Sequence, residues 1–348
     1  MRRSFETSLF AIVLALGAFS ITTIFAANKT QALNQTIFWI LGLVIFSVVS
    51  QLDIRYLKNF AKPAYVFSII TLVLVLILGE TIRGSVRWID LGIFRFQPSE
   101  VAKIASILLL SRFFQNRDAQ KIQNVALSFL AILPLFVLIL IEPDIGSAGA
   151  IIAIWASITF IAGLKREHML ALFLSFILIL VVSFEFLAPY QKDRIATFLN
   201  PEKDPLGAGY NIIQSRIAVG SGQLFGLGLG KGSQSQLNFL PESESDFIFA
   251  SIAEQFGLLG AGLVISLLFA MQLKIFKIAK NMNRFGQLLT LGTLGLFLYQ
   301  FTINVGMNMA LIPVTGITLP FVSYGGSSLV SNLILLGMIF SAYRHSVE

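Results

Sequence analysis

Three carboxylates crowd one short stretch, Leu240-Pro241-Glu242-Ser243-Glu244-Ser245-Asp246-Phe247-Ile248-Phe249, just where charge gives way to an apolar run. An ionised group held at a boundary between water and lipid is costly, so its presence points to function. Asp246 stands closest to the apolar run. Burial there, together with the like charges of Glu242 and Glu244, makes a carboxylate a stronger base. Asp246 is therefore the first candidate for chemistry.

Rival catalysts are few. The chain has no cysteine, which excludes disulfides, thiolate nucleophiles and Cys-ligated zinc or iron-sulfur clusters. Its two histidines, His168 and His345, both fall on the side assigned below to the cytoplasm. The opposite side therefore has no imidazole base and no His-type metal site.

Cations suited to an anionic ligand lie in other segments. Residues 84 to 100 carry Arg87, Trp88 and Arg95, with Arg83 just before, and read either as a solvated loop or as a basic lining. Trp88 is a natural interface anchor. Pro98 suits the first turn of a helix, and Glu100 suits the positive end of its dipole. Lys103 follows Glu100 at i+3 on the same face, either as a structural ion pair or as a charged wall of a polar cavity. Further along come Arg216 and Lys231.

Lys231 sits in Gly226-Leu227-Gly228-Leu229-Gly230-Lys231-Gly232-Ser233, which invites a phosphate-loop reading. That motif requires Gly where Phe225 stands and Ser or Thr where Gly232 stands, so it fails. A loop bringing Lys231 and free backbone amides to a phosphate is the functional reading that survives. Glu254 lies eight residues past Asp246, roughly 12 Å deeper along a helix, and either tunes the site or pairs with another helix. Gln300, Asn304 and Asn308 form a stripe at i, i+4 and i+8, which interhelical hydrogen bonding explains without any ligand. The uncharged stretch from Pro313 to Ser328, which contains Ser323, is broken by Pro and Gly and reads as a re-entrant or capping loop.

The elements that must hold these residues follow from composition. Of 348 residues, 56% are hydrophobic and 12% charged, against about 25% charged in soluble domains, and the mean hydropathy is +0.81. The expected fold is an all-α polytopic membrane protein, a single domain over 1–348. Apolar runs at 8–26, 35–51, 63–79, 98–114, 124–141, 145–163, 168–188, 247–272, 287–309 and 324–343 give about ten transmembrane helices. The first run, about 19 residues, is longer than a signal-peptide core and reads as a retained helix. A large extracytoplasmic loop spans 189–246, between the seventh and eighth helices.

The formal net charge of +7 does not indicate nucleic acid, because the basic residues cluster in short loops on one side. With both termini cytoplasmic, alternate loops place Arg55, Lys58, Arg112, Arg117, Lys165, Arg166, Lys277 and Arg284 inside, as the positive-inside rule requires. Lys192, Arg194, Lys203, Arg216 and Lys231 fall in the long loop, which that rule discounts.

These residues resemble the SEDS family of bacterial membrane proteins. The resemblance rests on Arg87-Trp88 with Gln97-Pro98-Ser99-Glu100 and Lys103, and on Pro143-Asp144-Ile145-Gly146-Ser147. It continues through Gly209-Tyr210-Asn211 with Gln214-Ser215, Leu240-Pro241-Glu242 with Asp246-Phe247-Ile248-Phe249-Ala250, and Leu319-Pro320-Phe321 through Ser327-Ser328. The Pro313-Val314-Thr315-Gly316 wording and compact length are closer to the RodA branch than to FtsW. One departure stands beside the key aspartate: Glu244-Ser245 replaces the family's His-Thr, so a carboxylate takes the place of a donor.

The resemblance implies a peptidoglycan glycosyltransferase that polymerises lipid II in the bacterial plasma membrane, with an extracytoplasmic active site and a role in elongation and cell shape. It implies Asp246 as the base and Arg87, Trp88, Glu100, Lys103, Arg216, Lys231, Glu254 and Ser323 as substrate-binding residues. No cofactor is required by it, although a divalent cation (Mg or Mn) would share the diphosphate charge. The implied partners are lipid II, membrane lipid and a class B penicillin-binding protein. A lipid II flippase and a scaffold that activates a transpeptidase are the alternatives.

Overall fold

Polar side chains at helix starts fix where the bundle's elements begin. The Asn28 side chain, between α1 (Arg2–Ala27) and α2 (Lys29–Val49), accepts the Thr30 and Gln31 amides at 3.0 and 3.2 Å. Asp53 accepts the Arg55 amide at 2.7 Å to open α3 (Ile54–Leu78). Such caps satisfy amides that have no partner within the helix. After α3 come α4 (Pro98–Phe114), with Pro98 in its first turn, α5 (Ile122–Ile141), and α6 (Ile145–Ile161), capped by Asp144 through the Ser147 amide at 3.0 Å. Beyond them lie α7 (Tyr210–Ser221), α8 (Ser233–Gln236), α9 (Ile248–Ala279), α10 (Arg284–Asn308) and α11 (Gly326–His345).

The computed structural model describes residues 2–82, 85–90, 92, 95–172, 174–175, 192, 196–207, 209–237 and 239–345. The expected span 168–188 lies mostly outside the described residues, as do Arg83 and Arg194. Nine of the ten apolar runs coincide with long helices, within a few residues at most ends. The run expected at 63–79 begins earlier, at Ile54, because the polar residues before Pro63 are helical without being apolar.

Among the described residues, seven helices are long and apolar enough to cross a membrane, and α6 is a shorter apolar helix beside them. Their outward faces carry rows of large apolar side chains, such as Leu33, Ile37, Ile40, Leu41, Val44 and Val48 on α2. A continuous exposed apolar surface of this kind requires lipid as solvent. The protein is a multi-pass membrane protein.

One element among the described residues is not helical. Three strands, β1 (Glu80–Ile82), β2 (Ser85–Asp90) and β3 (Arg95–Phe96), pair as an antiparallel sheet, with Ile82 opposite Ser85 and Asp90 opposite Arg95. The β-branched and aromatic residues Val86, Trp88 and Ile89 favour that pleated form.

The bundle has two distinct ends. At one, Arg344 pairs with Glu6 at 3.0 Å, Ser341 donates to the Leu52 carbonyl at 2.6 Å and Arg112 to the Lys58 carbonyl at 2.7 Å. The start of α1 and the end of α11 therefore meet at that end. The sheet, the α5–α6 turn, the segment 209–247 and the loop 309–325 gather at the other. Between them, α10 packs against α4, α6, α7, α9 and α11 and forms the centre of the bundle.

Candidate active site

Asp246 lies in the turn that leads into α9, partly buried, with Phe247 and Phe249 in the interior behind it. That turn is tied down from three directions. From α10, the side-chain amides of Asn304 and Asn308 each donate to the Asp246 carbonyl oxygen at 3.0 Å. From the loop before α11, the Ser323 hydroxyl donates to the Ser245 carbonyl at 2.6 Å, and the Tyr324 amide to the Glu244 carbonyl at 2.8 Å. Within the turn, Ser245 Oγ donates to Glu242 Oε2 at 2.7 Å and Ser243 Oγ to Glu244 Oε2 at 2.9 Å. The carboxylates flanking Asp246 thus hold neighbouring hydroxyls. Asp246 Oδ2 faces Gly316, where a β-carbon would sit 3.4 Å from it.

Ser323 is itself buried, and its oxygen also accepts the Leu319 amide at 2.8 Å. Gln35 of α2 braces the same loop, donating to the Ser323 carbonyl at 3.1 Å and accepting the Gly325 amide at 3.3 Å. The Ser323 hydroxyl, expected on the substrate, is already committed to protein groups on both sides.

Arg87 reaches from β2 to the turn between α5 and α6. Its Nε donates to the Glu142 carbonyl at 3.3 Å, its Nη2 to the Pro143 carbonyl, and its Nη1 lies 3.7 Å from Asp144 Oδ1. Carbonyls at the end of α5 carry partial negative charge, so a guanidinium suits them. Glu142 is buried, and neither of its carboxyl oxygens has a hydrogen-bond partner. Burial, reinforced by Asp144 and opposed by Arg87, pushes its carboxyl up to about 8. This cluster adjoins the Asp246 turn through the loop 315–317: Gly146 of α6 packs on Ile317 and the Thr315 carbonyl, and Asn304 donates to the Ile317 carbonyl at 2.7 Å. Trp88, the neighbour of Arg87, is half-buried opposite Glu80.

Glu100 and Lys103 pair within α4 at 2.6 Å, both buried. Their charges cancel locally. The start of α4 is joined to the start of α11, where Ser327 Oγ accepts the Gln97 amide at 3.3 Å and donates to the Arg95 carbonyl at 2.8 Å.

The remaining candidates form a second group. The α9 helix is broken at Gly257, whose φ of 67° and ψ of −164° leave the helical region. Residues 223–228 fill the break: Leu227 and Gly228 donate their amides to the Glu254 and Gln255 carbonyls, and Leu258 and Leu259 donate to the Gln223 and Leu224 carbonyls. The glycine-rich segment is therefore used to satisfy freed backbone groups. Glu254 is fully buried and accepts the Gln234 and Ser235 amides at 2.8 and 3.1 Å, capping α8. Gly232 lies so close that a β-carbon would sit 2.3 Å from Glu254 Oε2. Lys231 is exposed beside this cap, and Arg216 is exposed on α7, which is held to α10 where Ser215 Oγ donates to the Asn308 carbonyl at 2.7 Å. Among the described residues, no three His, Asp or Glu side chains are placed to share one metal ion.

Sequence reasoning named the carboxylate turn and the basic segments and expected interhelical hydrogen bonding from Asn304 and Asn308, but gave no role to Gln35 or Glu142. The i, i+4 spacing of the asparagines marked them as a stripe. Nothing local showed which backbone group they meet.

A bundle of membrane-length helices with a clamped carboxylate turn at one end defines a polytopic membrane protein with a polar site at the bundle mouth. The chain belongs to the cell cycle protein family FTSW_RODA_SPOVE, whose model matches residues 5–348. It is 38% identical over 348 residues to the peptidoglycan glycosyltransferase MrdB of Escherichia coli K12, covering 98% of this chain and 94% of that protein. It is 36% identical over 325 residues to the stage V sporulation protein E of Bacillus subtilis, covering 90% and 87%. Among solved structures, it is similar to a chain of a peptidoglycan synthase complex, with a TM-score of 0.87, 29% identity and 97% of each chain covered. It is also similar to the crystal structure of the rod shape determining protein RodA of Thermus thermophilus, with a TM-score of 0.75, 28% identity and 98% and 97% covered.

Proposed function

We propose that the chain is an inverting peptidoglycan glycosyltransferase that polymerises lipid II into β-1,4 glycan strands in cell-wall elongation. The observation that carries the reading is the Asp246 turn: a partly buried carboxylate in a turn anchored from α10 and the loop before α11, in a chain whose relatives are named peptidoglycan glycosyltransferases. An acceptor sugar hydroxyl attacks the anomeric carbon of the α-linked donor while the bond to the diphosphate breaks. The configuration inverts, and undecaprenyl diphosphate leaves with the electron pair. Asp246 takes the hydroxyl proton as the new bond forms.

The departing diphosphate needs positive charge. Arg216 and Lys231 are exposed, and Arg87 keeps part of its guanidinium open at 24% side-chain exposure. Lys103 is already neutralised by Glu100. A Mg or Mn ion would enter with the diphosphate, since the described carboxylates form no shared cage. The basic residues at the end where Glu6 and Arg344 meet favour that end as cytoplasmic, which leaves Asp246 on the extracytoplasmic side of the bacterial inner membrane. A class B penicillin-binding protein, cross-linking the product, is the expected partner. The test is polymerisation of fluorescent lipid II by the purified complex, with and without Asp246→Ala; equal polymer from the variant overturns the reading.

One observation favours a lipid II flippase as the second reading. Transporters bind substrate at discontinuous helices, and α9 is broken at Gly257. Here, however, the freed groups are filled by the chain's own 223–228 segment. Lipid II translocation in liposomes by Asp246→Ala protein would support the flippase.

A further inference from the structure

In a helix continued back from Ile248, the Ala250 amide would donate to the Asp246 carbonyl, four residues earlier. That bond is not made. Asn308 stands in its place: its Oδ1 accepts the Ala250 amide at 2.9 Å, and its Nδ2 donates to the Asp246 carbonyl at 3.0 Å. One carboxamide from α10 is thus spliced into the first hydrogen bond that α9 would otherwise close.

Asn304 completes the arrangement. Its Nδ2 also donates to the Asp246 carbonyl, at 3.0 Å, so both lone pairs of that oxygen are held by side chains of α10. The second hydrogen of each amide is used as well, by the Ile317 carbonyl at 2.7 Å for Asn304 and by the Asn304 carbonyl at 2.8 Å for Asn308. Both asparagines are fully buried. A buried carboxamide with every hydrogen committed has no freedom to act on substrate, but it fixes the peptide group it grips.

We infer that Asn308, seconded by Asn304, is a positioning residue that keeps Asp246 from becoming the N-cap of α9 and thereby aims its carboxylate. The inference rests on the reading of Asp246 as the proton acceptor. Without Asn308, the Ala250 amide and the Asp246 carbonyl are free to join, which lengthens α9 by one residue and makes Asp246 its N-cap. An aspartate at the N-cap turns its carboxylate onto the helix's own first amides. Misplacing a catalytic group by about 1 Å is enough to cost about 100-fold in rate. Substrate held by other segments is bound as before.

The test uses the full chain in complex with its penicillin-binding partner and fluorescent lipid II. Asn308→Ala is expected to lower kcat about tenfold or more, with KM for lipid II within about twofold and the acid limb of the pH profile displaced. Asn308→Asp, which still accepts from Ala250 but cannot donate to Asp246, should fall as far. Asn304→Ala removes one of two donors and should lose several-fold. If Asn308→Ala does not elute as a monodisperse complex, Asn304→Ala carries the test. Wild-type kcat in a folded variant, or a loss confined to KM, overturns the inference. Asp246→Ala separates the two failures. If it is inactive while the asparagine variants are normal, only the positioning role is lost; if it is active, the catalytic reading falls and the inference with it.

Discussion

The hydroxyl of Ser323 donates a 2.6 Å hydrogen bond to the carbonyl oxygen of Ser245, the residue before Asp246, while accepting the amide of Leu319 at 2.8 Å. This oxygen is one tie between the loop before α11 and the carboxylate turn, another being the Tyr324 amide on the Glu244 carbonyl. Ser323→Ala leaves one part-buried carbonyl and one buried amide without that partner, the buried amide at about 1–3 kcal/mol and the carbonyl at less. The expected outcome is a lower melting temperature in detergent and a lower kcat for polymerisation, with KM for lipid II unchanged. A rise in KM alone would show that Ser323 contacts substrate instead.

Glu254 acts on the architecture of the break in α9. Glu254→Ala orphans the Gln234 and Ser235 amides, so the loss should be about 2–5 kcal/mol, with limited proteolysis cutting first between residues 222 and 237. Glu254→Gln keeps one carbonyl oxygen as acceptor and should lose less. Gly232→Ala, which places a methyl group against Glu254 Oε2, should reproduce the same cleavage pattern without removing any charge. An unchanged proteolytic pattern in both Glu254→Ala and Gly232→Ala would count against the cap.

Glu142 links stability to pH. Its carboxyl rises from the ordinary 4.5 to about 8, through burial first and Asp144 second, against the pull of Arg87. The folded protein therefore holds a proton that the unfolded chain releases near 4.5, and stability falls as pH rises from there to about 8 and is flat beyond. Glu142→Gln removes the titration. Melting temperatures measured from pH 5 to pH 9 should show the wild type losing ground to the variant up to pH 8, and parallel curves would refute the assignment.

Reading the chain from its sequence succeeded where the signal is local. Apolar length locates α1 through α6 and α9 through α11, because a lipid solvent demands it of each helix separately. The Glu242 to Asp246 cluster stands out for the same reason: charge at an apolar boundary is visible in ten residues. Long-range pairing leaves no such mark. Nothing near Asn308 shows that its side chain replaces a hydrogen bond 58 residues away. The glycines at 226–232 fit a phosphate-binding loop and a backbone inserted into a broken helix equally well, since both need close approach without side chains. The sheet at 80–96 was hidden by strands too short for a clear alternation.

The pair formed by Glu100 and Lys103 separates stability from function most sharply. Their 2.6 Å contact is almost fully shielded from solvent, so Lys103→Met strands a buried carboxylate and should cost about 3–5 kcal/mol. Removing both charges with Glu100→Gln and Lys103→Met leaves no ion behind, and most of that stability should return. Activity gives the second reading. If the pair serves only to hold α4, the double variant polymerises lipid II nearly as well as the wild type once folded. If it forms a charged wall of the substrate cavity, the double variant melts like the wild type and still makes little polymer. Restored stability with lost polymerisation is the expected result, because the segment leading into α4 is joined at Arg95 and Gln97 to Ser327 at the start of α11, just past the loop that carries Ser323. A double variant no more stable than Lys103→Met alone would instead show that the cost lies in lost packing.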